Sequence, residues 1–421
     1  MKMTLSGYTH IVAAILLLLY SLYSRSLVGL SIALALILVF YYEYHVFLQT
    51  RKYIQNIVVE RSTDKKVCSE LDEVKMILRI KNKGDKSIPR LILLDMLPEF
   101  IGTRKKPIFT IALPPRCEAV AEYLFRVEAP GTHSFEKLYM SITDPLGYFF
   151  EQYSKTAKAY IVALPRTAWT KASIKSLQKI IGAYVAGKSA SGLYDLAGYR
   201  DYQPGDDPRK ILWKEYAKTR KLVVRLDYGE SRARTLIMVD TRDYLWYVGE
   251  PPNTLAHAQL RLARGILEYL ARTGSHIDMA VCCDTSPKLR IGVEKDVFGT
   301  IYYMSSLIKP GEGCRSPLSA YAEQATYLGI DPMRYDLVIL VTNPLTLLLE
   351  GPNSLEKLLR VYAGKLFLLF PDYDYGRFVG RDEYRALLSR IATQIAGAGL
   401  GLEIPEIGVR IEVGRRWEWR I

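Results

Sequence analysis

The chain has few of the residues, and none of the motifs, that most often build metal sites and enzyme active sites. Its 421 residues include 5 cysteines and 5 histidines. The cysteines form no C-x-x-C pair and leave one over, which predicts neither a zinc site nor a disulfide framework and favours a reducing compartment. They are Cys68, Cys117, Cys282, Cys283 and Cys314. The absence of P-loop, G-x-S-x-G, G-x-G-x-x-G and H-E-x-x-H segments argues against nucleotide hydrolysis, a standard serine hydrolase and a zinc protease.

Acidic residues are in the minority. Lys and Arg number 57 against 44 Asp and Glu, which gives a net charge of +13. Such an excess suits an anionic lipid surface or a nucleic acid. The apolar N-terminal region favours the lipid, and the sequence lacks the aromatic stacking motifs of nucleic-acid binders. We therefore predict a lipid bilayer as a partner and no nucleic acid.

Charge is scarce in the first 50 residues. Residues 5–23 and 27–42 are apolar runs separated by Ser24, Arg25 and Ser26, and each approaches the roughly 20 residues that cross a bilayer as a helix. Cleavable signal peptides are single and end in small residues, so a retained transmembrane hairpin over residues 1–50 is predicted. Because Arg51, Lys52 and further cations follow the second run, the positive-inside rule places both termini in the cytoplasm of a multi-pass cell-membrane protein.

Residues 51–165 have the pattern of short strands. Apolar and polar residues alternate over residues 73–80, turn residues follow at 83–86, and further strands are predicted at 91–94, 119–127 and 135–142. Such spacing predicts a small antiparallel β-sandwich. It contains no catalytic cluster, so a spacer or docking module is expected.

Residues 166–234 contain a dense run of turn, charged and aromatic residues. Pro204 and Gly205 predict a turn, Asp207 an N-cap, and the following residues a helix in which Trp213 and Ala217 face one core. A strand is predicted at 222–226. The charged residues also allow an ion-paired network or a polar docking surface. A catalytic pair of Asp206 and Asp207 is disfavoured because no histidine or metal cluster lies nearby in sequence.

This run closely resembles the signature of domain-of-unknown-function family fifty-eight, R-x-Y-x-P-G-D-D-x-R-x-I-x-W. The residues that fall in register and form the candidate binding segment are Arg200, Tyr202, Pro204, Gly205, Asp206, Asp207, Arg209 and Trp213, followed by Ala217 and Arg225. The segment Asp-Pro-Leu-Gly at 144–147 is similar to a second family motif. The resemblance implies two N-terminal membrane helices and a von Willebrand factor A-like domain.

Residues 235–421 alternate apolar strands with helices, which predicts a mostly parallel, Rossmann-like sheet covered on both faces. The predicted strands are 236–239, 278–283, 336–341, 365–370 and 409–413, and the helices 253–272, 297–308, 354–362 and 381–396. Asp240 ends the first strand, where such sheets bind ligands. The overall fold class is thus a transmembrane hairpin, an antiparallel β-sandwich and a C-terminal α/β von Willebrand factor A-like domain.

Asp240 stands where von Willebrand A domains begin a D-x-S-x-S metal loop, but Arg242 and Tyr244 replace both serines, and Thr342-Asn343 replaces Thr-Asp. Asp240 and Thr342, with Asp243 as a third oxygen donor, are the remaining metal-ligand candidates. We expect the Arg242 guanidinium to occupy the cation position and pair with Asp240. The sequence therefore favours a chain without a cofactor, with Mg²⁺ as the alternative.

Taken together, the residues favour a non-enzymatic interaction protein, and the family resemblance implies an adaptor that partners a MoxR-type AAA+ ATPase. Two alternatives stay open. One is an Mg²⁺-dependent adhesion or binding domain, and the other is an enzyme that acts on cell-envelope precursors through Asp206, Asp207 and Asp240.

Overall fold

The computed structural model divides the chain into two compact units, Met1–Leu164 and Pro165–Ile421. It describes residues 1–167, 196–202, 211–227, 234–272, 275–283, 286–323, 331–362 and 365–371, the single residues 373, 375 and 386, and the pairs 412–413 and 417–418. It confirms the predicted pair of apolar N-terminal helices, the antiparallel sheets and an α/β region.

The first unit begins with a helical hairpin. Helix α1 spans Leu5–Tyr23 and α2 spans Leu27–Tyr53. The side chains of Thr4 and Ser26 cap the two helices by accepting the N–H groups of Gly7 and Gly29. Both helices are long and apolar enough to cross a membrane by length and composition.

The second half of the first unit is a β-sandwich. Its strands are β1 (Lys2–Met3), β2 (Ile57–Thr63), β3 (Val67–Ser69), β4 (Glu73–Asn82), β5 (Ile88–Asp95), β6 (Ile101–Gly102), β7 (Ile108–Leu113), β8 (Glu118–Val127), β9 (Gly131–Thr143) and β10 (Phe149–Leu164). One sheet has the order β1-β10-β9-β5-β7 with β3 on β10, and the other has the order β2-β4-β8-β6. Burial alternates along β4, because successive side chains point to opposite faces.

A buried ion pair joins the two sheets. Arg61 on β2 pairs with Asp95 on β5, and both side chains are fully buried. The Tyr123 hydroxyl on β8 donates to the second oxygen of Asp95 at 2.6 Å. Separating the two sheets would leave the charges of Arg61 and Asp95 unpaired, so the ion pair stabilises the observed packing of one sheet on the other.

The hairpin packs directly onto the sandwich. Thr4 donates from its backbone N–H to the Tyr148 carbonyl at 2.8 Å, and its hydroxyl donates to the Gly147 carbonyl at 2.7 Å. The Tyr148 hydroxyl lies 2.8 Å from His10 Nδ1. Phe47 of α2 belongs to the sandwich core and lies 5.7 Å, centroid to centroid, from the Phe149 ring. Hairpin and sandwich thus share one hydrophobic core.

The second unit contains a five-stranded sheet in the order β15-β14-β13-β16-β17. Its strands are β13 (Arg234–Val239), β14 (His276–Cys283), β15 (Ser286–Arg290), β16 (Leu337–Val341) and β17 (Leu366–Leu369). All neighbours pair in parallel except the β14–β15 hairpin. A separate antiparallel pair is formed by β11 (Leu196–Asp201) and β12 (Val223–Asp227), and another by β18 (Glu412–Val413) and β19 (Trp417–Glu418).

Helices accompany this sheet. They are α3 (Trp213–Thr219), α4 (Leu255–Arg272), α5 (Val297–Leu307), α6 (Pro317–Glu323), α7 (Pro344–Glu350) and α8 (Pro352–Val361). Strands β13 and β16 are almost completely buried, as expected of central strands covered on both faces. The predicted helix at 381–396 lies outside the described residues apart from position 386, and most of the strand at 409–413 also lies outside them.

Candidate functional site

The segment that carries the predicted signature residues includes the β11–β12 pair. Arg200 lies in β11 opposite Val224, and the Tyr202 N–H donates to the Leu222 carbonyl at 2.9 Å. Of the other signature residues, Trp213 is described, whereas Pro204, Gly205, Asp206, Asp207 and Arg209 lie outside the described residues.

The predicted helix of this segment is wrong in extent and in the face it buries. Ile211 forms an antiparallel bridge with Val224, and α3 begins only at Trp213, after Leu212 as N-cap. Trp213 is 60% exposed, and α3 has no buried residue. The bridge to β12 competes with helix formation at Ile211, which starts the helix later and leaves Trp213 in solvent.

Exposed aromatic and basic side chains cluster on α3 and the turn that follows it. Trp213 and Tyr216, which is 40% exposed, contact edge to face with ring centroids 6.2 Å apart. Leu222 is 38% exposed. The exposed cations nearby in sequence are Lys214, Lys218, Arg220 and Lys221. We call Trp213, Tyr216, Leu222 and these cations the α3 patch.

Asp240 lies at the carboxyl end of β13, next to the end of β16, where the strand order of the sheet reverses. Its Oδ2 accepts hydrogen bonds from the hydroxyls of Thr342 at 2.9 Å and Thr346 at 2.6 Å, and from Asn343 Nδ2 at 3.3 Å. Its Oδ1 accepts the N–H of Arg242 at 3.0 Å. The structure thus brings the predicted pair Asp240 and Thr342 together.

The Asp240 carboxyl is closed off from solvent. It is 1% exposed, and burial raises its pKa while the hydroxyls of Thr346 and Thr342 oppose that rise. Gln259 of α4 donates to the Asp240 carbonyl at 3.2 Å and accepts from Asn343 at 2.9 Å. The two oxygens of the carboxyl are themselves bonded by Arg242 N–H, Thr342, Asn343 and Thr346, so its polar atoms are satisfied from within the domain.

The expected ion pair between Arg242 and Asp240 does not form between these two described side chains. Arg242 instead lies 3.7 Å from Glu350 and packs over the Tyr244 ring, 5.5 Å from its centroid. Glu350 also accepts the N–H groups of Leu318 and Ser319 at 3.0 and 3.1 Å. A carboxylate at the end of α7, far from Arg242 in sequence, therefore outcompetes Asp240 for the guanidinium.

These residues do not fit a Mg²⁺ ion. Within the described residues, no group of three His, Cys, Asp or Glu side chains is placed to hold a metal. Asp240 is the one carboxylate of the cluster, and three donors already occupy its Oδ2. Asp243, the third candidate, uses Oδ1 to accept the Tyr244 N–H at 2.8 Å. A hard divalent cation prefers several oxygen ligands with free lone pairs, which this cluster does not offer.

A disulfide joins Cys282 at the end of β14 to Cys314, with Cα atoms 5.7 Å apart. The prediction of no disulfide framework is therefore wrong for this pair, because the fold brings together two cysteines that are 32 positions apart in sequence. The pair flanks the loop after Asp240: the Thr241 hydroxyl donates to the Cys282 carbonyl, and the Cys314 N–H donates to the Thr241 carbonyl at 3.2 Å. Cys282 is buried, and its neighbour Cys283 is half-buried.

A cleft of about 630 Å³ opens beside this loop. Its lining includes Asp243, residues 311–316, Ser319 and Glu323. Gly313 lies close to the loop after Asp240, because a Cβ built on it would lie 2.0 Å from the Thr241 carbonyl oxygen.

Sequence reasoning missed Thr346, Gln259 and Glu350. One signal pointed to Thr346: Asn343-Pro344 has the pattern of an N-cap followed by Pro at the first helical position, and the Thr346 N–H bonds the Asn343 side chain at 2.9 Å. This capping directs Thr346 toward Asp240. Gln259 and Glu350 come from distant segments, and no local pattern marks them.

Comparisons with known proteins identify no family. No protein-family model matches the sequence, and no curated protein matches it significantly. The chain is weakly similar in structure to the CARDB domain of a Pyrococcus furiosus protein, with 14% identity, 25% of this chain and 91% of that chain covered, and a TM-score of 0.20. For the cupredoxin domain of amoB from Nitrosocaldus yellowstonii, the identity is 11%, the coverage is 28% of this chain and 95% of that chain, and the TM-score is 0.18. For a GH20 exo-β-N-acetylglucosaminidase from Vibrio harveyi, the identity is 9%, the coverage is 85% of this chain and 75% of that chain, and the TM-score is 0.21.

Proposed function

We propose that the chain is a membrane-anchored, non-enzymatic adaptor with both termini in the cytoplasm. Its α1–α2 hairpin holds it in the bilayer, and its C-terminal unit, a von Willebrand factor A-like domain, binds protein partners that include a MoxR-type AAA+ ATPase. The observation that carries the proposal is the α3 patch, where Trp213 stands 60% exposed beside Tyr216.

The contacts of the hairpin support a permanent anchor. Met3 pairs with Phe149 in the sheet, and Phe47 and Ile54 belong to the core of the sandwich. Removal of the hairpin as a signal sequence would take away an edge strand and part of this core. Retention of the two apolar helices is therefore the arrangement in which the sandwich keeps its packing.

The sheet of the second unit supports the assignment of its domain type. Asp240 and Thr342 end adjacent strands at the reversal of strand order, where the metal loop of a von Willebrand A domain would stand. Because Asp240 is 1% exposed and bonded within the domain, it is poorly placed to act on a substrate. Recognition through the surface fits this arrangement better than catalysis.

The α3 patch has the composition of a protein-binding hot spot. Trp, Tyr and Arg are the residues most enriched where a few side chains supply most of the binding energy. Trp213 is 60% and Tyr216 40% exposed, and α3 has no buried residue, so truncating the two side chains removes contact area from a partner without emptying a core position. The neighbouring cations give the patch a charge that suits an acidic partner surface.

The test is a pull-down of the full-length protein from its native membrane in detergent. We expect wild type to retain an AAA+ ATPase and the Trp213→Ala, Tyr216→Ala double variant to lose at least about ten-fold of it, because each hot-spot truncation costs about 1 kcal/mol or more. The matched control is Phe298→Ala, which removes an aromatic side chain that is 66% exposed on α5.

Equal retention by wild type and the double variant would remove the α3 patch from the interface. Retention of no AAA+ ATPase by wild type would contradict the adaptor proposal itself. Circular dichroism of each variant checks that a loss of partner is not a loss of fold.

We also propose that the Asp240 site works without Mg²⁺. Thermal unfolding of the purified protein in millimolar Mg²⁺ and in excess chelator is expected to give the same midpoint, because the hydroxyls of Thr342 and Thr346 already occupy the carboxylate. A ligand that binds only the folded state raises the midpoint. A midpoint that rises with Mg²⁺ in wild type and not in Asp240→Asn would therefore contradict this proposal.

A further inference from the structure

We propose that the turn at residues 144–149 of the β-sandwich enters the interfacial layer of the bilayer, and that Lys2 and Arg90 beside it bind the phosphate of an anionic phospholipid. The inference rests on the proposed anchoring by α1 and α2. It gives the sandwich a lipid-binding surface of its own.

The length of α1 places the turn at one boundary of the membrane. Its 19 residues rise about 28 Å at about 1.5 Å per residue, close to the roughly 30 Å of the hydrocarbon core. Leu5 must therefore stand near one boundary. Thr4, immediately before it, bonds the carbonyls of Gly147 and Tyr148 at 2.7 and 2.8 Å. The turn thus lies at the level where α1 enters the bilayer.

The second helix gives the same level independently. α2 begins at Leu27, directly after the short connection at the far boundary, and about 20 residues of helix bring the chain back across the core near Val46. Glu43, within one helical turn of that point, accepts the N–H of Leu146 through Oε2 at 3.4 Å. Two helices of different length therefore place the same turn at the same boundary.

The tip of the turn is apolar and exposed. Leu146 is 49% exposed, and Pro145 beside it is exposed as well, whereas Tyr148 and Phe149 pack inward against the helices. A single exposed leucine on a soluble surface needs no explanation. At the depth set by α1 and α2, however, this leucine meets the boundary between headgroups and acyl chains, where an apolar side chain is stabilised.

Two cations lie in one row across the sheet beside the turn. Lys2 is in register with Phe150, Phe150 with Thr143, and Thr143 with Arg90. Residues in register on neighbouring strands share a face, and three strand spacings set the two cations roughly 14 Å apart. The Arg90 guanidinium is close to the turn, because a Cβ built on Gly147 would lie 3.2 Å from its Nη1.

Both cations are available for a ligand. Lys2 is exposed and Arg90 half-buried, and neither forms an ion pair with a carboxylate of the described residues. The nearby Glu151 is already paired with Arg51 at 2.9 Å and with the N-terminal amine at 3.4 Å. An ammonium and a guanidinium that have no carboxylate partner among the described residues, at the depth of the lipid phosphates, supply the donors that a phosphate ester recognises.

Depth is tested first, with the full-length protein in nanodiscs that contain brominated lipids. Leu146→Trp is compared with Leu124→Trp, since Leu124 is equally apolar and 56% exposed. Leu124 lies toward the end of the sandwich that is opposite the turn. Three residues after it, the Val127 carbonyl accepts the Leu71 N–H, and Leu71 follows β3, which pairs with the far end of β10. We expect bromolipid to quench the fluorescence that Leu146→Trp adds to that of the five native tryptophans, and to leave that of Leu124→Trp unchanged.

Lipid choice is tested by native mass spectrometry of nanodiscs that contain equal phosphatidylglycerol and phosphatidylcholine. The Lys2→Gln, Arg90→Gln variant is expected to lose its preference for phosphatidylglycerol by about five-fold or more. The control is Lys105→Gln, Lys106→Gln, which removes the same charge from an exposed loop at the far end of the sandwich. Millimolar inorganic phosphate added to wild type is expected to leave the retained lipid in place, which separates a lipid headgroup from free phosphate.

The outcomes separate this inference from the anchoring on which it rests. Protein that enters the discs but shows equal quenching at positions 146 and 124, or equal lipid retention in both charge variants, overturns the lipid surface and leaves the anchor standing. Protein that fails to enter discs overturns both.

Discussion

At the scale of single residues, several functional expectations were decided by partners distant in sequence. Asp240 and Thr342 were named together from the sequence and do meet. Arg242 was expected on Asp240 and instead pairs with Glu350. Two carboxylates, Asp240 and Glu350, compete for the Arg242 guanidinium. Glu350 lies 108 residues from Arg242, and no local sequence pattern marks it as the partner.

A buried histidine predicts a pH dependence of stability. His133 is 2% exposed and donates from Nε2 to the Ala129 carbonyl at 2.7 Å, and burial lowers its pKa below the ordinary value. Because the unfolded chain then takes up a proton more readily, stability is present above about pH 6.5 and is lost as pH falls below it. We expect the thermal unfolding midpoint of the first unit to fall between about pH 7.5 and about pH 5.

The His133→Gln variant is expected to show a smaller fall over the same range, because it has no imidazole to protonate. His276→Gln serves as the control, since its side chain is 50% exposed. Hydrogen exchange of β9 shows whether the acid-sensitive region is the one that contains His133. If the unfolding midpoint falls equally in wild type and in His133→Gln, the acid sensitivity belongs to other groups.

At the scale of elements, the loop after β13 and the segment before α6 approach each other closely at Gly313. Gly313 approaches the loop so closely that a Cβ would lie 2.0 Å from the Thr241 carbonyl and 2.7 Å from the Asp243 nitrogen. We expect Gly313→Ala to destabilise the second unit by about 1–3 kcal/mol, because two backbone segments must separate to admit a methyl group. Thermal unfolding in detergent measures it.

Gly292→Asn is the matched control for Gly313→Ala. Gly292 has φ +66° and nothing within 4 Å of a built Cβ, and asparagine tolerates this left-handed conformation. We expect Gly292→Asn to leave the unfolding midpoint nearly unchanged. If Gly313→Ala also leaves it unchanged, the loop accommodates the added methyl group, contrary to the expectation.

At the scale of the whole molecule, the proposed anchoring by α1 and α2 would place the remaining chain on one side of the membrane. Arg51 and Lys52 at the end of α2 favour the cytoplasm. The Cys282–Cys314 disulfide favours an oxidising compartment instead, because the cytoplasm keeps most thiols reduced. The two observations point to opposite sides, so a direct measurement of topology is informative.

Cys117 offers that measurement, because it is an exposed free cysteine of the sandwich. In a Cys283→Ser background, we expect a membrane-impermeant maleimide to label Cys117 only after the membrane is permeabilised, in agreement with cytoplasmic termini. The Cys117→Ser variant supplies the unlabelled control. Labelling in intact cells would place the chain outside and make the disulfide the normal state of Cys282 and Cys314.

By itself the sequence determined the elements whose signals are local. Apolar runs without charge predicted α1 and α2, alternation predicted β4, and a short apolar run predicted β5. Further short strands were predicted where β8 and β9 lie, and continuous apolar strands predicted β13 and β16. These predictions hold because the buried face of each helix or strand determines the spacing of apolar residues within that segment alone. The position of Asp240 beside Thr342 followed from the same reasoning, since adjacent parallel strands end at one edge of a sheet.

Only the tertiary structure decided which side chains meet across long stretches of chain. It turned Arg242 to Glu350, brought Cys282 to Cys314, and set the turn at residues 144–149 on the hairpin. It also left Trp213 in solvent, on a helix that begins only after Ile211 has bridged to β12. Such contacts depend on competition between partners that only folding brings together, and no local sequence pattern records which partner wins.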